Sequence, residues 1–282
     1  MAVDSYEVWR GVCDLVAAEV ITDTETEFVC GTPFPVAGLA TISKTVNASS
    51  ARVYYDNKGA LVINGESAEE ITIECAALPL DVRAKLMGLH YDENRGAIYE
   101  GGRKTVYFAI GYKTQKLSSD PEKSGDVYVW RLKGSFAESD QTHNTITDGT
   151  DSNGESLTYT GVFTNHKFVN KPDAMGDPSP ATSTVVDTTL KLADVSGFFD
   201  EVTTPDTLTA KTAYALTITA AAGTTVVVTR GGVALTAADP IYSGDHLTIT
   251  CTGGTITVNG VAFASGNIQV VTGDVAVVST AA

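Results

Sequence analysis

The residues with the widest chemical reach in this 282-residue chain are four cysteines and four histidines. Their spacing works against a shared task. Cys13, Cys30, Cys75 and Cys251 form no CxxC pair, and His90, His143, His166 and His246 are equally scattered. Zinc asks for close pairs of such ligands, so the cysteines read as isolated reduced thiols, several of them buried as small hydrophobes. Catalytic motifs are missing: there is no GxSxG elbow, Walker loop, HExxH or calcium-binding EF-hand loop. The glycine pairs at 101–102, 231–232 and 253–254 lie between strand-like segments. A phosphate cradle would lead into a helix N-terminus, so these pairs read as turns. The carboxylates Glu66, Glu69 and Glu70 lack the alternating ligands of a calcium loop and read as a solvated charge run. Asp148, Asp151 and Glu155 read as a polar turn. His90, directly after a helix-like segment, reads as a helix-end residue meeting carbonyls. No cofactor and no metal is implied.

Charge narrows the function classes further. The formal net charge is −15. Such a surface repels phosphate backbones and anionic lipid heads wherever salt does not screen it. Tight nucleic-acid binding and membrane docking are disfavoured, yet a wall past which DNA must slide without sticking is compatible. No apolar run approaches the roughly 18 residues of a membrane span. The opening residues lack a basic and apolar leader, so synthesis and residence in a cytoplasm are expected.

The elements that would position any site are mostly strands. Residues 105–114 alternate, with Val106, Phe108, Ile110 and Tyr112 on one face. Residues 126–136 place Tyr128, Trp130, Leu132 and Phe136 on one face and Arg131 and Lys133 on the other. Leu157, Tyr159, Gly161 and Phe163 align in residues 156–168, and residues 71–75 form a further strand. One helix is predicted from Pro79, suited to a first turn, to Gly88, suited to a C-cap. Its apolar stripe is Val82, Leu86 and Leu89. Residues 41–57 and 171–183 read as long polar loops, the second broken by Pro172, Pro178 and Pro180. Trp9 and Trp130 read as core or interface anchors.

The composition changes at Thr204-Pro205-Asp206. From residue 206 onward there are sixteen threonines, nine glycines and no glutamate, and the net charge is −2, leaving −13 on the first 205 residues. Strands are predicted at 213–220, 224–229, 246–251, 255–258, 267–271 and 275–278, with turn dipeptides at Gly253-Gly254 and Asn259-Gly260. That spacing suits a small immunoglobulin-like sandwich. Two domains are therefore expected, residues 1–204 and 205–282.

Several features together resemble a known family. An acidic N-terminal arm precedes a polar loop and the strand Ile71-Thr72-Ile73-Glu74-Cys75. The single helix and the turn Gly88-Leu89-His90-Tyr91-Asp92 follow. Then come Val106-Tyr107-Phe108-Ala109-Ile110-Gly111-Tyr112 and the strand ending Lys133-Gly134-Ser135-Phe136. This order resembles the major tail (tail tube) proteins of siphophages and prophages of Gram-positive bacteria, over roughly residues 1–200. The resemblance implies a mainly β fold: a tail-tube sandwich or partial barrel flanked by one helix, with the C-terminal immunoglobulin-like domain decorating the outside. It implies hexameric rings that stack into a tube through which the genome passes without specific binding, in a virion tail assembled in the host cytoplasm. Its implied partners are other copies of itself, a tape measure protein, a tail terminator and baseplate or distal tail proteins.

On that reading, Lys44, Asn47, Arg52, Tyr54, Tyr55, Val82, Leu86 and Pro178 are candidates for subunit and ring interfaces. Glu66, Glu69, Glu70 and Glu74 are candidates for an acidic lumen. Two other readings stand beside it. One is the inner tube of a contractile injection system or phage-derived bacteriocin, which the external domain disfavours. The other is a surface-binding adhesin, which the missing leader disfavours. An enzyme on a β scaffold has no motif to support it.

Overall fold

In the computed structural model, residues 6–46, 49–55, 58–65, 69–99, 101–119, 124–137, 154–190 and 192–281 are described. The chain divides into two compact units. The first holds residues 1–190 and 195–208, the second residues 191–194 and 209–282. Division by packing thus falls at 208/209, a few residues past the change in composition.

The first unit is built on strands β1 (Glu7–Asp23), β2 (Phe28–Cys30), β3 (Phe34–Pro35), β4 (Leu39–Val46), β5 (Ser49–Tyr55), β6 (Lys58–Gly65) and β7 (Glu69–Cys75). Helix α1 (Leu80–Met87) follows, then β8 (Tyr91–Asp92), β9 (Ala97–Ile98), β10 (Phe108–Ser118), β11 (Gly125–Ala137), β12 (Glu155–Gly161), β13 (Phe168–Pro172), β14 (Pro178–Ser179) and β15 (Ser183–Asp187). One sheet carries the unit, in the order β2-β1-β10-β11-β12-β7-β4, with β15 also on β11 and β3 on β1. The long β11 serves two partners: residues 127–131 pair with β15 and residues 134–137 with β12.

Within residues 41–57, expected as a loop, the described residues are instead the end of β4 and all of β5. β4 pairs with β7, and β5 pairs with β6 in a two-stranded ribbon that continues the same hairpin. Small polar residues had suggested a loop. Threonine and serine suit a strand whose outer face is wet, and pairing decides the outcome. Residues 171–183 likewise hold a small β13–β14 hairpin. Its prolines are tolerated because the closing bond, 2.8 Å, runs from the Asp173 N–H to the Asp177 carbonyl.

The sheet is covered on one face by its core and helix and, at β11, on the other face as well. On one, Phe108, Ile110, Tyr112, Val127, Val129, Ile71, Ile73 and Leu157 form a core with Leu86 and Met87 of the helix. On the other, the Trp130 indole N–H donates to the Phe198 carbonyl at 2.8 Å, and its ring meets Phe199 edge-on. The expected grouping of Phe136 with Tyr128 and Trp130 fails. Phe108 opposes Gly134 while Ile110 opposes Arg131, so β11 carries one extra residue there. A bulge of this kind reverses which face each later side chain takes. Phe136 therefore joins the core. At the same place Gly134 leaves room for Tyr159, whose hydroxyl donates to the Phe108 carbonyl at 2.9 Å. A Cβ on Gly134 would lie 2.3 Å from the Tyr159 ring.

Arg131 lies on the core side and is buried. Its guanidinium donates to Glu69 at 3.0 Å and to the Tyr112 hydroxyl at 3.3 Å. Lys44 holds the second oxygen of Glu69. Three strands, β4, β7 and β11, are thereby tied by charge where the hairpin leaves the sheet.

Helix α1 runs from Pro79 to a left-handed C-cap at Gly88, φ 65°. Leu86 is buried, and Val82 and Leu89 pack half-buried on the same core. Its outer side leaves Leu80 exposed.

The second unit holds β16 (Ala213–Tyr214), β17 (Leu216–Thr219), β18 (Thr225–Arg230), β19 (Val233–Leu235), β20 (Ile241–Tyr242), β21 (His246–Thr252), β22 (Gly254–Val258), β23 (Val261–Phe263), β24 (Ile268–Val270) and β25 (Val275–Ala281). Two four-stranded sheets, β17-β25-β22-β23 and β19-β18-β21-β24, share one core. Leu216, Ile256, Val258, Val275 and Val277 come from the first sheet and Val228, Leu247 and Ile249 from the second. Arg230 pairs with Asp245, whose carboxylate also accepts the Tyr242 N–H.

Two substitutions test this packing. A Cβ on Gly88 would sit 1.9 Å from the Lys104 carbonyl oxygen. Gly88→Ala should cost about 1–3 kcal/mol from its left-handed backbone alone, with the clash in addition, read as a lower denaturation midpoint. Arg131→Met should cost about 3–5 kcal/mol, because it strands a buried carboxylate, less whatever Lys44 recovers. Pairing it with Glu69→Met should restore most of the loss in urea titrations, since an apolar pair of similar volume replaces an ion pair at little net cost.

Candidate assembly surfaces

A sheet that ends in free strands offers backbone groups to a partner. In the first unit β4 pairs only with β7, so its other edge is unpaired among the described residues. The N-terminal half of β1 pairs only with β10; β3 and β2 take its later residues. Between these two edges lies a groove of about 870 Å³ lined by Trp9, Arg10 and Val12 on one side and residues 40–44 on the other. Tyr112, Val127, Val129 and Arg131 line it too, and Val185 of β15 stands exposed beside them. No backbone ladder joins β1 to β4 among the described residues.

The outward face of β4, β7 and β12 has a single chemistry. Thr41 opposes Glu74, Ser43 opposes Thr72 and Thr45 opposes Glu70. On the other side Ser156, Thr158 and Thr160 oppose the same three residues of β7. Every one of these nine side chains is a hydroxyl or a carboxylate. Glu70 and Glu74 are exposed on it, and the Thr41 hydroxyl donates to Glu74. Glu69 points the opposite way and is buried with Arg131 and Lys44. Glu66 lies outside the described residues.

The interface candidates fall in different settings. Lys44 is on the edge strand β4. Arg52, Tyr54 and Tyr55 are on β5, opposite Val62, Gly59 and Lys58. Asn47 lies outside the described residues. Pro178 is exposed on the β13–β14 hairpin. Leu86 is buried in its own subunit's core and Val82 packs against that core, so the helix stripe is spent inside the subunit. Periodicity showed that stripe to be apolar but could not say which core would take it. Trp9, read as an anchor, is 66% exposed on β1, while Trp130 is fully buried.

The remaining titratable groups serve the framework. Burial pushes the Cys30 thiol up to about 12 and the Cys75 thiol up to about 11, so both stay protonated and unreactive. Asp23 accepts from Lys133 and from the backbone N–H groups of Asn165 and His166. Sequence reasoning left this node among the scattered acids; only the register brings residues 23, 133 and 165 together. Burial opposes ionisation of Asp187, but bonds from Thr189 and Lys116 outweigh it and hold the carboxyl below its usual range. Among the described residues no group of three or more His, Cys, Asp and Glu side chains could hold a metal ion. Among them, too, no helix is long and apolar enough to cross a membrane.

No curated protein matches the chain. The model of the phage tail tube protein family matches residues 37–176, a span running from β4 through the β13–β14 turn. A mainly β subunit with free sheet edges suits the structural, self-assembling role of that family in the virion tail. The chain belongs to the phage tail tube protein family.

Proposed function

We propose that six copies of the first unit close into a ring, that rings stack into the tube of a siphophage tail, and that the genome is delivered through the lumen. The observation that carries this reading is the division of labour within one sheet. Its free edges invite pairing with neighbours, while the outward face of β4, β7 and β12 holds only hydroxyls and carboxylates. Placed on the lumen, Glu70 and Glu74 repel the phosphates of passing DNA, and the flanking threonines and serines leave no cation for it to grip. Lys44, the positive charge on β4, is neutralised by Glu69 behind that face.

The β5–β6 ribbon is the proposed stacking arm. It pairs with no other strand among the described residues, and its seven-residue strand β5 extends roughly 23 Å at the usual strand rise. Ring-to-ring contacts are heterologous, which is the geometry that gives open tubes. The second unit reads as an immunoglobulin-like domain decorating the outside. Its near-neutral, threonine-rich composition differs from the acidic first unit. A tape measure protein inside, a terminator above and baseplate or distal tail proteins below complete the assembly, in a phage or prophage of Gram-positive bacteria.

Negative-stain electron microscopy of the full chain over a concentration series tests the reading. Rings or tubes with a central hole are expected; closed globular oligomers without a channel would end it. Replacing residues 48–66 by a short turn should leave a folded subunit, because β4 and β7 keep their ladder, but should abolish stacking. Normal tubes from that variant would remove the arm's role. Glu70→Lys with Glu74→Lys should make tubes retain duplex DNA and slow genome ejection roughly tenfold, with a salt dependence that the parent lacks. Unchanged ejection would take these acids off the lumen.

A further inference from the structure

The first half of β1 combines the composition of an interior strand with the exposure of an edge. Residues 7–12 pair with β10 alone among the described residues, so one side of this stretch has no backbone partner. Opposite residues of an antiparallel ladder share a face, and alternate residues repeat it. Ile110 and Tyr112 mark the core face of β10, so Thr114 and Lys116 follow on that face. Trp9 lies opposite Lys116 and Val12 opposite Thr114, which places both on the core face. Val8 and Arg10, opposite Leu117 and Gln115, take the reverse face. Apolar side chains on both faces are the mark of a strand buried on both sides. Here they are bare: Val8 is 59% and Trp9 66% exposed, and Tyr6, just before the strand, is 74% exposed. In the second half of the same strand Leu15, Ala17 and Ala18 are buried, so the pattern is met there and unmet here.

The surroundings suit a partner. On the core face Trp9 and Val12 form one wall of the groove of about 870 Å³, so there is room beside the indole. The charges next to Trp9 are already satisfied within the chain, because Lys116 pairs with Glu7 at 2.8 Å and with Asp187 at 3.0 Å. An aromatic anchor bordered by satisfied polar groups is the usual anatomy of an interface centre. Trp, Tyr and Arg carry most of the binding energy of interfaces, and the stretch Tyr6-Glu7-Val8-Trp9-Arg10 holds one of each.

We propose that residues 6–12 form a strand enclosed by a second copy of this chain, with Trp9 as the anchor on one face and Val8 on the other. The occupant is a second copy because the chain belongs to a self-assembling family, and because the unpaired edge and the bare apolar side chains fall on the same residues. An open edge asks for a backbone and the two faces ask for apolar cover; a copy of a β-rich chain supplies both. The proposal rests on the tube reading and names the strand at one of its contacts.

Trp9 reports on its own surroundings, because the only other tryptophan, Trp130, is fully buried. Acrylamide quenching of the full chain, measured beside sedimentation velocity over a concentration series, reads the contact directly, and Trp9→Phe supplies the Trp130 signal to subtract. Trp9 should be open to the quencher in the dilute chain and lose most of its quenching as the chain associates. Trp9→Ala and Val8→Ser change exposed side chains and should leave the urea midpoint unchanged, yet each should weaken self-association at least tenfold, the scale of an interface hot spot. Trp9 that stays open in the associated chain, either variant associating as the parent does, or a parent that stays monomeric at every concentration would overturn the enclosed strand. Should a variant lower the urea midpoint, quenching of the parent chain decides alone. Tubes in which Trp9 stays open sink this contact and leave the tube reading standing. Channel-less particles in which Trp9 is protected, and which both variants fail to form, sink the tube reading and leave this contact standing.

Discussion

Backbone hydrogen bonding at the margin of a sheet is the constraint on which the rest of this structure depends. Each residue of an outermost strand carries N–H and C=O groups that must find water, a side chain or another strand. The first unit meets this demand along most of its sheet. β11 is long enough to serve β10 on one side and both β12 and β15 on the other, and β1 serves β10, β3 and β2 in succession. Among the described residues, β4 and the first half of β1 leave the demand open on one side. A monomeric protein would blunt such edges. A subunit that assembles with its neighbours has reason to keep them, because pairing across subunits would cover such edges.

Charge is distributed around the same seam. Most acids of the first unit lie at the surface, but Glu69 is turned inward, where Arg131 and Lys44 hold it. Burying an ionised cluster rarely adds stability over an apolar one. Its use here is positional. It fixes the root of the hairpin, since β4, β7 and β11 each contribute a charge, and it leaves cations on one side of β7 while Glu70 and Glu74 occupy the other. A single strand thereby carries exposed carboxylates on one face and a neutralised ion cluster on the other.

Much of this was legible in the sequence, for reasons that can be traced to particular residues. Gly88 and Pro79 bounded the helix because each suits only one end of it, and the alternation of Phe108, Ile110 and Tyr112 located β10 because that face meets the core. In the second unit the six expected strands are present, while β19, β20 and β23 were missed. Strands of two or three residues carry no period, and their pairing partners alone define them. Residues 41–57 misled because threonine and serine are as common in a wet strand as in a loop. The bulge at Gly134 misled because parity along a strand holds only until an extra residue enters. The groove and the Asp23 node were beyond reach altogether, since both join residues far apart in the chain.

The family match and the geometry bear on different links of the argument. The match over residues 37–176 assigns a structural role in the tail. It does not say which surface meets which. That question turns on features the chain need not have for folding alone: an edge strand, β4, with one side unpaired among the described residues, and Trp9 exposed on β1. Each would be a defect in a solitary protein, where unpaired edges and exposed apolar side chains invite aggregation. In a subunit that self-assembles, the same features have a use, because an unpaired edge and an exposed apolar side chain are what a neighbouring copy can cover.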